Sequence, residues 1–110
     1  MKLTGDALFV YGTLLDEAIR REILGHSVDV IEARLEGFRR GHARYNYIVR
    51  AEGARTPGLI MQGLSEEDWR RLDAYEEVPT LYTREEIEVE ASAGMVRCWV
   101  YFPTAECLKP

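Results

Sequence analysis

The stretch "ALFVYGTLLDEAIRRE", residues 7–22, decides the fold. Ala7 to Tyr11 is an apolar run rich in strand formers, so it predicts a short buried strand. The run stops at Tyr11-Gly12-Thr13-Leu14, without hairpin chemistry, and helix signals begin at once. Asp16 and Glu17 suit the positive end of a helix dipole. Ala18, Ile19, Ile23 and Leu24 recur at helical spacing, with Arg20, Arg21 and Glu22 on the other face, and Gly25 is a natural stop. A glycine and a hydroxyl at such a junction have two readings. They form a tight exit from a strand, or a cradle in which bare backbone N–H groups meet an anion.

Outward from this junction, Val28 to Phe38 alternates in places and predicts a second strand. Gly41 to Asn46 is polar and predicts a loop, and Tyr47-Ile48-Val49 predicts a third, short strand. Glu52 to Gly58 carries turn chemistry, with Pro57 fixing φ and glycines on either side. Leu59 to Leu64 is a fourth strand. Ser65 can cap a second helix, with Asp68 as the acidic partner of a capping box. Trp69, Leu72, Ala74 and Tyr75 continue its apolar stripe, and Val78-Pro79 ends it. Tyr82 to Glu90 and Met95 to Phe102 form a hairpin around Ala91-Ser92-Ala93-Gly94. The tail, Pro103 to Pro110, is expected to be loosely attached. The elements do not alternate strictly, which argues against a doubly wound parallel sheet. An α+β arrangement fits, with a mixed, curled sheet or small barrel and two helices outside it.

The bulk numbers narrow the function classes. At 110 residues the chain is expected to form one domain, residues 1–110, with one modest core. A net charge of −5 disfavours nucleic acid as the partner, since phosphate binding needs concentrated Lys and Arg. No apolar run is long enough to cross a bilayer. Met1 to Asp6 lacks the apolar core of a secretory signal, so the expected location is the cytoplasm. Cys98 and Cys107 lack metal-ligand spacing, and a reducing compartment predicts two thiols, although the spacing leaves a disulfide open. His26 and His42 stand apart, so no structural metal is expected.

Two clusters could carry chemistry. The first is Tyr11-Gly12-Thr13-Leu14, which has neither the nucleoside triphosphate P-loop pattern nor the dinucleotide fingerprint. The second is Glu76-Glu77, at a helix C-terminus. The negative dipole end and the adjacent carboxylate both disfavour ionisation there, as in a general acid/base, although paired glutamates at helix ends are commonly solvated. Tyr11, Tyr75, Tyr82 and Tyr101 fall at element ends, where their hydroxyls can line a polar pocket or simply edge a core.

The combination is more specific than its parts. Tyr11-Gly12-Thr13-Leu14, then Leu72-Asp73-Ala74-Tyr75-Glu76, then Pro79-Thr80-Leu81-Tyr82-Thr83-Arg84, then Trp99-Val100-Tyr101 resembles the γ-glutamylcyclotransferase-like superfamily, and its small AIG2-like members in particular. The resemblance implies a small mixed β-barrel flanked by helices. It implies that Gly12, Thr13 and Leu14 offer backbone N–H groups to the α-carboxylate of a γ-glutamyl head group, beside Tyr11. It implies Glu76 as general acid/base and Tyr82 as a pocket wall. No metal or organic cofactor is implied, and the partner is a small γ-glutamyl molecule. Glu77 departs from the pattern, since several members have glycine there. The register selects Glu76, leaving Glu77 solvated or raising its neighbour's pKa. The released amine would be read by Arg39 to Asn46 and Gly53 to Gly58. A non-catalytic module that binds a small carboxylate is the alternative, and the oligomeric state is not encoded legibly.

Overall fold

The computed structural model describes residues 6–109, so the reading of the first residues as no secretory signal lies mostly outside the described residues. The elements are β1 (Leu8–Val10), a 3-10 turn (Thr13–Leu15), α1 (Glu17–Leu24), β2 (Asp29–His42), β3 (Asn46–Gln62), α2 (Glu66–Tyr75), β4 (Tyr82–Ala91) and β5 (Gly94–Pro103). The five strands close into a barrel in the order β1-β3-β2-β4-β5. Closure comes from β1, which pairs antiparallel with β3 and parallel with β5. The fold is α+β, a mixed barrel with two helices.

The alternation of β1 divides the core in two. Ala7, Phe9 and Tyr11 join the barrel interior with Leu35, Ile48, Ile60, Val89 and Val100. Leu8 and Val10 join the layer between barrel and helices, with Leu24, Met61, Trp69 and Leu72. Every residue of β1 is buried because both its faces are covered. Leu72 is fully buried, and such a side chain contributes about 1.5–3 kcal/mol.

Both helices are capped, α2 and the end of α1 as their sequences predict, while Asp16, expected in the first turn of α1, is its N-cap. Asp16 accepts from the N–H groups of Ala18 and Ile19, and Gly25 closes α1 at φ 81°. Ser65 and Asp68 form a reciprocal capping box on α2. Asp68 also bonds His26 at 2.7 Å, which ties the end of α1 to the start of α2.

The central ribbon differs from expectation. The predicted third and fourth strands are one strand, β3, which pairs with an equally unbroken β2 as far as His42 and Asn46. The loop expected over Gly41 to Asn46 shrinks to Ala43-Arg44-Tyr45. The turn expected over Glu52 to Gly58 is absent. The register instead slips between Glu36 and Phe38, where Gly37 and Gly53 take φ of 84° and 80° and the ribbon bends. Pro57 pairs only with Arg34 of β2, because β1 reaches β3 no earlier than Leu59. It therefore sits on an edge segment, where its missing N–H is tolerated. Gly58 serves close approach: a Cβ there would lie 2.2 Å from the Val10 carbonyl oxygen.

The tail also departs from the expected loose attachment. The Thr104 N–H and hydroxyl both bond the Leu81 carbonyl oxygen, and the hydroxyl also reaches that of Thr80. Cys107 is fully buried in the helix-side core. Both cysteines are buried free thiols.

Candidate active site

A cavity of about 300 Å³ opens where the end of β1, the 3-10 turn, the β2–β3 hairpin, the end of α2 and the β4/β5 pair meet. Tyr11, Gly12, Thr13, Leu14, Glu76 and Tyr82 all line it, although more than sixty residues separate the two clusters in sequence. Tyr75 and Tyr101 line it too.

The loop from Tyr11 to Leu15 has all its carbonyls occupied. Arg40 donates to Tyr11 O at 2.7 Å. Gly12 O and Thr13 O accept from the N–H groups of Leu15 and Asp16. Buried Arg20 donates to Leu14 O and Leu15 O, both at 3.0 Å. The amides are in the opposite condition. Among the described residues, no hydrogen bond involves the N–H of Gly12, Thr13 or Leu14. A loop with committed acceptors and free donors is built to meet an anion. A Cβ on Gly12 would lie 3.1 Å from both Cβ and Nδ2 of Asn46, so glycine admits the Asn46 side chain beside the loop.

The opposite wall is aromatic. The Tyr11 hydroxyl donates to Tyr101 O at 2.6 Å. The Tyr82 hydroxyl donates to Asn46 O, and Cys107 lies against it. The Tyr101 hydroxyl donates to Asp73 Oδ1 at 2.7 Å. Burial, first of all, holds the three hydroxyls far above the usual phenol range, so they keep their protons. At the mouth, Thr13 and Tyr75 share a hydrogen bond of 2.8 Å.

Glu76 is the C-cap of α2 and is partly buried against this wall. Burial, and then the charge of Asp73, push its carboxyl from 4.5 up to about 7. The second influence is therefore Asp73, three residues back on the same helix face, rather than Glu77. Asp73 is itself held by Arg84 at 3.0 Å, and the Arg84 guanidinium lies over the rings of Trp69 and Trp99. Glu77 is exposed at the rim with φ 56°. Its N–H bonds Ala74 O, and that of Val78 bonds Asp73 O. This is a Schellman motif, in which the left-handed position normally holds glycine. Glu77 also lines the cavity, at its exposed rim.

Sequence reasoning missed Asp73 and Arg84 as supports of the site, and it named Tyr101 only as one of four tyrosines at element ends and Asn46 only as the end of a loop. The i, i+3 spacing of Asp73 and Glu76 was a legible signal; the position of Asn46 beside Gly12 was not. Of the two segments expected to read the released amine, Arg44, Tyr45 and Asn46 do line the mouth. Ala54 to Gly58 line a separate hollow with Arg34, Arg39 and Arg40, since that segment is strand and not loop. Among the described residues, no His, Cys, Asp and Glu cluster has the grouping of a metal site.

The chain is similar to known proteins over most of its length. The family model described as Gamma-glutamyl cyclotransferase, AIG2-like matches residues 8–109. Protein AIG2 C of Arabidopsis thaliana is 29% identical over 72 residues, 63% of this chain and 44% of that protein. The chain thus spans less than half the length of that relative. A solution structure of an Arabidopsis thaliana protein superposes with a TM-score of 0.80 at 23% identity, covering 96% of this chain and 72% of that one. A structure of a gamma-glutamyl cyclotransferase gives 0.79 at 18% identity, covering 90% and 66%. A mouse AIG2-like protein gives 0.69 at 24% identity, covering 96% and 80%. At such identities the structures show a shared fold, and it is the family match across nearly the whole chain that places this protein in the gamma-glutamyl cyclotransferase, AIG2-like family.

Proposed function

We propose that this protein is a γ-glutamylcyclotransferase, releasing 5-oxoproline from a γ-glutamyl amine or peptide. The observation that carries the reading is Glu76, a carboxyl raised to about 7 and facing a loop of unpaired amides across one small cavity. A general base works best with a pKa near the working pH. The cavity is at the lower end of the range for small-molecule sites, which suits an amino-acid-sized head group.

The α-carboxylate is held by the N–H groups of Gly12, Thr13 and Leu14. The substrate α-ammonium gives a proton to Glu76. The freed amine attacks the γ-amide carbon, closing a five-membered ring and placing negative charge on the carbonyl oxygen. As the C–N bond to the leaving amine breaks, Glu76 returns the proton to that nitrogen, and the ring nitrogen, a lactam N–H in the product, gives up its second proton through the same carboxylate, so the amine leaves as an ammonium. Attack is intramolecular, so holding the substrate folded supplies much of the rate advantage. Hydrogen-bond donors stabilise the developing oxyanion. The chemistry uses this chain's own groups and proceeds in the cytoplasm, with a small γ-glutamyl molecule as partner.

The test is incubation with a panel of γ-glutamyl amines and peptides, followed by assay for 5-oxoproline. Release by the native protein and loss in Glu76→Gln are expected. A broad panel without product would return the protein to the binding-module reading. Product undiminished in Glu76→Gln would move the proton transfer to another group.

A further inference from the structure

We propose that the bent β2–β3 ribbon carries a second binding site, on its outer face, for a small molecule with several carboxylate or phosphate groups. The inference stands apart from the cyclotransferase reading, and its test needs no turnover.

Charge is distributed unevenly along the chain. Residues 34–55 hold six arginines and two glutamates, a net of +4 in a protein of net −5. Strand alternation sorts these side chains. Ala33, Leu35 and Phe38 join the barrel interior, so Arg34 and Arg39 face outward, and Arg55 stands opposite Glu36 on the neighbouring strand. The ribbon bends at Gly37 and Gly53, and the buried Thr56 hydroxyl holds the bend by donating to Phe38 O at 2.9 Å. Here lies a hollow of about 760 Å³, lined by Arg34, Arg39, Arg40 and Arg55 against a single carboxylate, Glu32.

These cations are open to a ligand. Among the described residues, Arg39 has neither an ion pair nor a hydrogen bond. Arg40 gives one nitrogen to Tyr11 O and keeps the rest of its five-donor fork. Arg34 and Arg55 meet Glu90 and Glu36 at 3.7 and 2.6 Å, in solvent-facing pairs that contribute little and exchange readily. Guanidinium forks match carboxylate and phosphate oxygens two at a time. Leu15 and Leu59 line the same hollow and give the anion an apolar body to rest on. A small ligand fits better than a nucleic acid. With +4 of the −5 total placed here, the rest of the chain carries −9 and repels a long polyanion running past the ribbon.

The test titrates the protein at low salt with inorganic pyrophosphate and with benzenetricarboxylate, following backbone amide shifts by NMR. Benzamide is the uncharged control. Arg39→Gln and Arg55→Gln are compared with Arg70→Gln, which removes the same charge from the exposed face of α2. Thermal melts identify the folded variants, and Arg39→Gln removes no polar contact within the protein. Saturable shifts are expected at Arg39, Ala54 and Arg55. Arg39→Gln and Arg55→Gln should each weaken binding about threefold or more, and Arg70→Gln less than about 1.5-fold. The tighter probe assigns the site to phosphate or to carboxylate. Saturable binding of neither anion, equal binding of benzamide, or shifts centred on Gly12, Thr13 and Leu14 instead of the ribbon would overturn the proposal. So would equal weakening in all three variants, or a single-stranded oligonucleotide bound more tightly than either small anion.

Discussion

The two walls of the pocket are opposites in their hydrogen bonding. In the loop from Tyr11 to Leu15 the acceptors are spent, on Arg40, on Arg20 and on the 3-10 turn, and the amides of Gly12, Thr13 and Leu14 remain. In the tyrosine wall the donors are spent and oxygens remain. Neither wall is polar by composition alone, since Tyr11, Leu14, Tyr82 and Tyr101 are all counted among the buried core. Its character depends on which half of each polar group the rest of the fold has already used. A buried unpaired group costs stability, so leaving one set of groups free on each side makes the pocket selective for a ligand carrying the opposite set.

The largest expected break in this comparison is Glu76→Gln. It removes the carboxylate assigned to move a proton between the walls and should lower turnover by about 10²–10⁴-fold. The same change should stabilise the fold at higher pH. The folded protein holds the Glu76 proton more tightly than the unfolded chain, because the carboxyl rises from 4.5 to about 7. The contribution of Glu76 to stability is therefore fullest below about 4.5 and is lost as pH rises through about 7. Glu76→Gln has no such decline, and denaturant titration at pH 8 should show a gain on the order of 2 kcal/mol.

Gly12→Ala breaks the donor wall. The new methyl meets Asn46, which must move. The expected result is KM for a γ-glutamyl substrate raised about tenfold, equivalent to about one hydrogen bond to a charged group, with a smaller effect on kcat.

Asp73→Asn sharpens the other side. It withdraws the second of the two influences on Glu76 and leaves burial, the larger one. The Glu76 titration, followed by carboxyl carbon NMR, should move below about 7 and stay above 4.5. An unchanged midpoint would show that Asp73 has no part in it.

Glu77→Gly is the smallest change. Glycine relieves the φ of 56° at the Schellman position, and the expected gain is about 1 kcal/mol, read as a higher Tm.

The sequence showed more of the donor wall than of the acceptor wall. β1, both helices, the stop at Gly25, the capping box of α2 and the closing hairpin follow from local pattern, and Gly12, Glu76 and Tyr82 follow from the family resemblance. The β2–β3 ribbon did not, because Gly53, Pro57 and Gly58 spell a turn when read locally. Their actual reasons are a bulge, an edge and a strand crossing at Val10, all of which depend on non-local neighbours. The docked tail was hidden for the same reason: nothing near Cys107 in sequence announces the core that buries it. The commitment of the tyrosine protons was likewise illegible, since Tyr101 meets Asp73, Tyr82 meets Asn46 and Tyr11 meets Tyr101 only after the barrel closes.

The most direct test of the central claim is the pH dependence of kcat/KM for 5-oxoproline release, measured on the native protein. The account predicts that activity falls on the acid side with a midpoint near 7, as Glu76 takes up its proton, and that Asp73→Asn moves that midpoint downward. An acid limb at the ordinary carboxylate value of 4.5, or a limb near 7 that survives in Glu76→Gln, would contradict it.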